Sequence, residues 1–119
     1  MRWKIDSSYP VYQQIKDHIR NAVITGEYPS GSRIPSVRDL AIEAHVNPNT
    51  MQRALTELEH EELLVSNGTL GRFVTDNHTI IAKNRDAAIR EAVRTSAAHF
   101  KALGLTLQEA GKLLAQEEV

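Results

Sequence analysis

Apolar residues recur every three to four positions in three successive segments of the first half of the chain, the pattern of amphipathic helices. The first predicted helix begins near Pro10 and ends at Gly26, the second follows Ser36, and the third follows Asn47 and begins with Pro48. The positions expected to face a common core are Val11, Ile15, Ile19, Ala22 or Val23, Val37, Leu40, Ala41, Ala44, Met51, Ala54, Leu55 and Leu58.

A change of pattern follows the third helix, in the segment LLVSNGTLGRFV at residues 63–74. Two short extended runs flank Asn67, Gly68 and Gly71, which is typical of a small β-hairpin. Three helices followed by a two-stranded flap form a winged helix-turn-helix. The predicted fold is therefore mainly α with a small β wing, and residues 1–75 are predicted to be the winged helix-turn-helix domain.

The remaining segment predicts two further helices. A stretch without Gly or Pro begins near His78 and predicts one long helix that Gly104 ends. Thr106 and Glu109 form a capping box for a short last helix. About forty residues in two helices are too few for a core of their own, so they need a partner surface. We expect residues 76–119 to be a helical dimerisation region that joins two copies of the chain.

Composition limits the class of protein. The chain has 119 residues, of which 41% are hydrophobic, enough for one small domain with an appendage. It has no apolar run long enough to span a membrane, and its first six residues lack the apolar core of a signal peptide. Cysteine is absent, so disulfides and thiolate chemistry are excluded. These features predict a cytoplasmic protein.

The charge balance does not by itself indicate a nucleic-acid partner, because the formal net charge is −1. Four glutamates are bunched at positions 57, 59, 61 and 62, whereas Arg33, Arg38, Arg53 and Arg72 are spread over four separate elements. A basic face therefore requires that the arginines converge in space.

Polar side chains are concentrated at the start of the third predicted helix, at Asn47, Asn49, Thr50, Gln52 and Arg53. In a helix-turn-helix this helix lies in the DNA major groove, and its first turns meet the base edges. Asn and Gln can pair with adenine, Arg can pair with guanine, and the Thr methyl can contact a thymine methyl. The alternative is that Asn47 only caps the helix and the others only face solvent.

Three further residues are candidate DNA contacts. Arg38 lies near the start of the second helix, where its side chain can reach the DNA backbone or a groove edge. A hairpin beside the third helix can enter the minor groove, where Arg72 would be favoured by the negative potential and Gly71 would allow a close approach. The alternative is that Gly71 is a bulge glycine and Arg72 is an edge-strand charge.

Five linked motifs occur in order, namely PVYQQI at 10–15, GEYPSG at 26–31, IPSVRDLA at 34–41, VNPNTMQRAL at 46–55 and GRFV at 71–74. With these motifs the chain resembles the GntR family of transcriptional regulators, and its short tail is similar to that of the YtrA-like subfamily. The resemblance implies a dimeric repressor that binds double-stranded operator DNA of its own or a neighbouring operon, in many cases a transporter operon. It identifies no small-molecule effector.

An enzyme is disfavoured by what the chain lacks. The five histidines have no close metal-ligand spacing, and there is no Gly-rich phosphate loop or nucleophile motif. We therefore expect no catalytic residue, metal or cofactor.

A second alternative is a winged-helix module that binds a protein and not DNA. It would use the acidic segment at residues 57–62, and the near-zero net charge is the observation in its favour.

Overall fold

Five α-helices and a two-stranded antiparallel sheet follow one another along residues 3–119, the part of the chain that the computed structural model describes. A short 3₁₀ turn connects the two strands. The elements are α1 Val11–Ile24, α2 Val37–Ala44, α3 Pro48–His60, β1 Leu64–Ser66, β2 Arg72–Val74, α4 His78–Ala102 and α5 Leu107–Gln116. The predicted fold class, mainly α with a small β wing, is confirmed.

The chain divides into two compact units, one ending at Asn84 and the other spanning Arg85–Val119. The first two turns of α4 pack with the first unit, because Ile80 and Ile81 lie against its core. The functional division at residues 75 and 76 stays a prediction, and residues 1–2 of that predicted domain lie outside the described residues.

Side-chain caps fix the starts of three helices, as the sequence predicts. The Ser36 hydroxyl accepts the Asp39 N–H at 3.1 Å. The side-chain oxygen Oδ1 of Asn47 accepts the Asn49 N–H at 2.7 Å, and Pro48 occupies the first turn of α3. At α5 both reciprocal bonds of the Thr106 capping box are present.

The turn between α2 and α3 is closed by His45, which adopts the left-handed conformation with φ 56°. The His45 N–H donates to Ile42, and the Val46 N–H donates to Ala41 at 3.1 Å. A non-glycine residue in this conformation costs about 1 kcal/mol. The turn ends at His45, since the next residue, Val46, already packs against the core.

The predicted core forms with few exceptions. Met51, Ala54, Leu55 and Leu58 give α3 a fully buried face against α1 and α2. The predicted core residues of α1 and α2 are buried except Val11 and Val37, which are partly buried against the same cluster. Ile34, Leu63, Leu64 and Val74 close the core from the side of the wing.

An ion-pair network ties α1 to the end of α3. Lys16 contacts Glu57 at 3.3 Å and Glu61 at 2.7 Å, and Arg20 also donates to Glu61. Arg20 donates in addition to the Asn84 side chain of α4. Burial alone would raise the pKa of Glu61, but the hydrogen bonds from Lys16 and Arg20 outweigh it and hold the pKa below its ordinary value of 4.5. The same contacts outweigh burial at Lys16 and raise its pKa.

The second unit has a single buried side chain, Ala110, within Arg85–Val119. A groove of about 350 Å³ between α4 and α5 is lined mainly by apolar side chains, including Val93, Phe100, Leu107 and Leu114. The helix ends predicted for this region are confirmed. No helix within residues 3–119 combines the length and the apolar character that a membrane crossing requires.

The ionised Glu61 carboxylate should stabilise the fold at neutral pH. Its pKa is lowered by folding, so this stabilisation is present above about pH 4.5 and is lost as the pH falls through the lowered value. We expect Glu61→Gln to lower the free energy of unfolding at pH 7, with a smaller loss near pH 4, in urea unfolding at both pH values.

Glu62→Gln is the matched control, since Glu62 makes no ion pair within the described residues. An equal loss at pH 7 and pH 4, or an equal effect of Glu62→Gln, would contradict this role for Glu61.

Candidate nucleic-acid interface

The outer face of α3 carries the polar residues that the sequence singled out. Asn49, Gln52 and Arg53 are exposed and Thr50 is half-buried, whereas Met51 and the rest of the apolar face point into the core. Because a buried stripe fixes the rotation of the helix about its axis, the polar side chains are held outward together. The structure therefore brings these four residues to one surface on the first two turns of α3.

Two of the candidate side chains already make local hydrogen bonds. The side-chain oxygen of Asn47 accepts the Asn49 N–H that caps α3, so only the side-chain NH₂ group of Asn47 remains available for a contact to DNA. The Gln52 amide donates to the Thr56 hydroxyl at 3.0 Å, one turn further along the helix. Gln52 is exposed, so exchanging this bond for one to a base edge costs little. A contact between Gln52 and a base edge is compatible with this geometry. For Asn47, the hydrogen bond that the structure shows is the helix cap, and a contact with a base stays a prediction.

Arg53 is positioned by an aromatic ring. Its guanidinium carbon lies 3.7 Å from the centroid of the Tyr12 ring on α1. Stacking uses the flat face of the guanidinium and leaves its N–H groups at the edge available to an acceptor. Tyr12 thus restricts Arg53 while its donors stay accessible.

Arg72 departs from the expectation of a free wing cation. Its Nε donates to Glu59 of α3 at 2.5 Å, and the two side chains are only 16% and 25% exposed. In the sheet Arg72 pairs with Ser66, at the base of the turn that spans Gly68–Leu70. This ion pair connects the wing to α3 and neutralises the arginine. A DNA contact by Arg72 stays a prediction.

Arg33 is one of the four arginines considered for a basic face, but the sequence did not single it out as a DNA contact. Its backbone forms an isolated antiparallel bridge with Phe73, so residues next to it extend the edge of β2. Gly71 has φ 115°, and a Cβ placed on it would lie 2.9 Å from the Arg33 Nε. The Arg33 side chain therefore lies against Gly71, whose positive φ is a conformation that favours glycine. The pairing joins positions far apart in the chain, and no local pattern reveals it.

The distribution of charges explains how a chain with net charge −1 can present a basic surface. Three glutamates of the acidic segment, Glu57, Glu59 and Glu61, are paired with basic residues of α1 and β2. Arg33 and Arg38 are exposed and make no ion pair within residues 3–119. Arg53 on α3 is likewise exposed and in no ion pair there, so unpaired cations lie at the wing edge, on the first turn of α2 beside the unpaired Asp39, and on α3.

Within residues 3–119, no three His, Asp or Glu side chains converge on a common point where they could hold a metal ion.

The chain is similar to known proteins in one family model and in individual sequences. Residues 11–74 match the family model of bacterial regulatory proteins, gntR family. The HTH-type transcriptional regulator YhcF of Bacillus subtilis is 35% identical, over 89% of this chain and 88% of its own length. The HTH-type transcriptional repressor YtrA of the same organism is 32% identical, over 74% of this chain and 68% of its own.

Two solved structures share the fold. A GntR family transcriptional regulator from Listeria monocytogenes superimposes with a TM-score of 0.88 at 29% identity, covering 96% of this chain and 100% of that one. AraR(DBD) in complex with operator ORX1 gives a TM-score of 0.54 at 25% identity, covering 63% of this chain and 92% of that chain. The second is a DNA complex of a protein with this architecture.

Arg38 and Gln52 should affect DNA binding in different ways. Arg38→Ala is expected to weaken binding to promoter and unrelated duplexes alike, because a contact to the DNA backbone carries no sequence information. Gln52→Ala is expected to relax the preference at one base position, worth about 1–3 kcal/mol, because it removes a base-edge contact. Selection from a random duplex library, followed by titration, measures both effects. An unchanged selection profile for Gln52→Ala would refute its reading role.

Proposed function

The chain belongs to the gntR family of bacterial regulatory proteins, and we propose that it acts as a dimeric repressor of its own or a neighbouring operon, for example a transporter operon. It is a DNA-binding transcriptional regulator and not an enzyme. Repression is supported by the relative YtrA, which is named a repressor. A transcriptional repressor acts where the DNA is, in the cytoplasm.

The observation that carries the proposal is the outward polar face on the first two turns of α3, held in place by its buried stripe. We propose that α3 lies in the major groove of operator DNA and that Asn49, Thr50 and Gln52 face the base edges. Arg38 and Arg53 would bind the DNA backbone or a groove edge, and the wing would lie beside α3. Asn47 contributes by starting the helix at the point where its donors face the DNA.

Dimerisation is proposed from the second unit. Val93, Leu107, Leu113 and Leu114 are between 49% and 63% exposed, which leaves apolar surface that costs free energy in water. The groove between α4 and α5 is open along its apolar lining. A second copy offers the same surface, so a twofold interface can bury both at once. Two linked DNA-binding units then bind two half-sites about 10 base pairs apart.

The alternative, a module that binds a protein and not DNA, needs a free acidic face. Glu57, Glu59 and Glu61 are paired with Lys16, Arg20 and Arg72 and offer little charge to a basic partner. Arg33 at the wing edge is exposed and has no ion-pair partner within residues 3–119, and this positive charge favours a polyanion.

Disrupting the apolar groove should separate dimerisation from folding. We expect Leu114→Asp to yield a monomer in sedimentation equilibrium, because a carboxylate cannot be buried unpaired in an apolar interface. The monomer should retain the helices of the first unit by circular dichroism but bind a duplex with both half-sites much more weakly.

Gln108→Asp is the matched control, since it adds the same charge to α5 at a residue that lies outside this groove. A Leu114→Asp variant that remains dimeric and binds like the unsubstituted chain would contradict the proposed interface. A monomeric unsubstituted chain at micromolar concentration would also contradict it.

A further inference from the structure

We propose that Arg33, and not Arg72, supplies the wing-side contact to a DNA phosphate, and that its side chain reaches this position by lying across Gly71. The inference rests on the proposed function, since it concerns how the same surface holds DNA. It assigns a binding residue outside the helix-turn-helix and the hairpin motif.

The first support is the position of Arg33 on the wing. The Val74 N–H donates to Ser32 at 2.8 Å and the Ile34 N–H donates to Arg72 at 3.0 Å, so the residues on either side of Arg33 are bonded to β2 around the isolated bridge. These bonds anchor the Arg33 backbone on both sides. An anchored backbone lowers the entropy lost when the side chain binds a phosphate.

The second support is the contact with Gly71. A Cβ at this position would approach the Arg33 Nε to 2.9 Å and its guanidinium carbon to 3.5 Å. No other glycine within the described residues has any atom within 4 Å of such a Cβ. The absence of a side chain at Gly71 therefore has a specific consequence, because it gives the guanidinium of Arg33 a path across the wing.

The third support is charge. Arg72 is neutralised by Glu59, whereas Arg33 is exposed and has no ion-pair partner within residues 3–119. The groove that both arginines line has a volume of about 270 Å³, and none of its lining residues is acidic. The hydroxyl groups of Ser36 and Ser66 also line it. A guanidinium with hydroxyl groups nearby suits the oxygens of a phosphodiester, which accept hydrogen bonds and carry negative charge.

The test compares the salt dependence of DNA binding by Arg33→Gln and by the double variant Glu59→Gln/Arg72→Gln. The full chain is titrated with a duplex from its own promoter region and with an unrelated duplex, from low to moderate salt. Each phosphate neutralised contributes about 0.9 to the slope of log K against log salt, so two copies of Arg33 contribute about 1.8.

The expected result is that Arg33→Gln lowers the slope by about 1.8 per dimer on both duplexes and leaves the ratio of their affinities unchanged. Arg33→Lys should restore most of the slope, because it keeps the charge. The double variant should keep the slope of the unsubstituted chain, because it removes a pair with no net charge. Circular dichroism and thermal unfolding verify that each variant is folded.

Each other outcome overturns the inference in a recognisable way. An unchanged slope for Arg33→Gln excludes the phosphate contact. A fall in the affinity ratio shows that Arg33 contacts base edges in the minor groove. If the double variant alone reduces the slope of log K against log salt, Arg72 and not Arg33 makes the wing-side contact. If the unsubstituted chain binds neither duplex at low salt, the proposed function fails, and this result differs from failure of the Arg33 contact alone.

Discussion

The packing of one face of α3 against α1 and α2 is the constraint on which the rest of the first unit depends. Met51, Ala54, Leu55 and Leu58 are completely buried, and removing a buried leucine side chain costs about 2–5 kcal/mol in comparable cores. With these four positions fixed, the rotation of α3 is fixed, and its polar residues have one direction in which to point. The proposed DNA-binding surface is thus a consequence of the core.

Ion pairs complete this arrangement by assigning partners to most of the acidic segment. Lys16 and Arg20 hold Glu61 against α1, and Arg72 connects the wing to Glu59. Each pair lies at a junction between elements, and together they leave Arg33 and Arg38 unpaired. Near-zero net charge is therefore compatible with a nucleic-acid surface, because the pairing is uneven over the molecule.

Local patterns predicted most of the fold, because helix caps and apolar periodicity are properties of neighbouring residues. The ends of α3 and α5 follow from Asn47 and Thr106, whose capping bonds are present. The candidate residues on α3 were predicted for the same reason, as their spacing decides which side of the helix they share.

The wing was predicted less well, because its contacts join distant positions. The pairing of Arg72 with Glu59 and the passage of Arg33 across Gly71 depend on how β2 lies against α3 and the segment before α2. No periodicity in the sequence encodes these contacts. Gly68 and Gly71 were enough to predict the hairpin. The sequence did not show which arginine on the wing is neutralised by an ion pair.

We propose that the outer face of α3 and the adjoining wing together form the DNA-binding surface. Backbone amide NMR shifts of the full chain, followed while a duplex selected from a random library is added, test it most directly. We expect the largest shifts at Arg33, Arg38, Gly71 and residues 49–53, with small shifts in the second unit. Shifts concentrated in the acidic segment at residues 57–62, or none at saturating duplex, would contradict it.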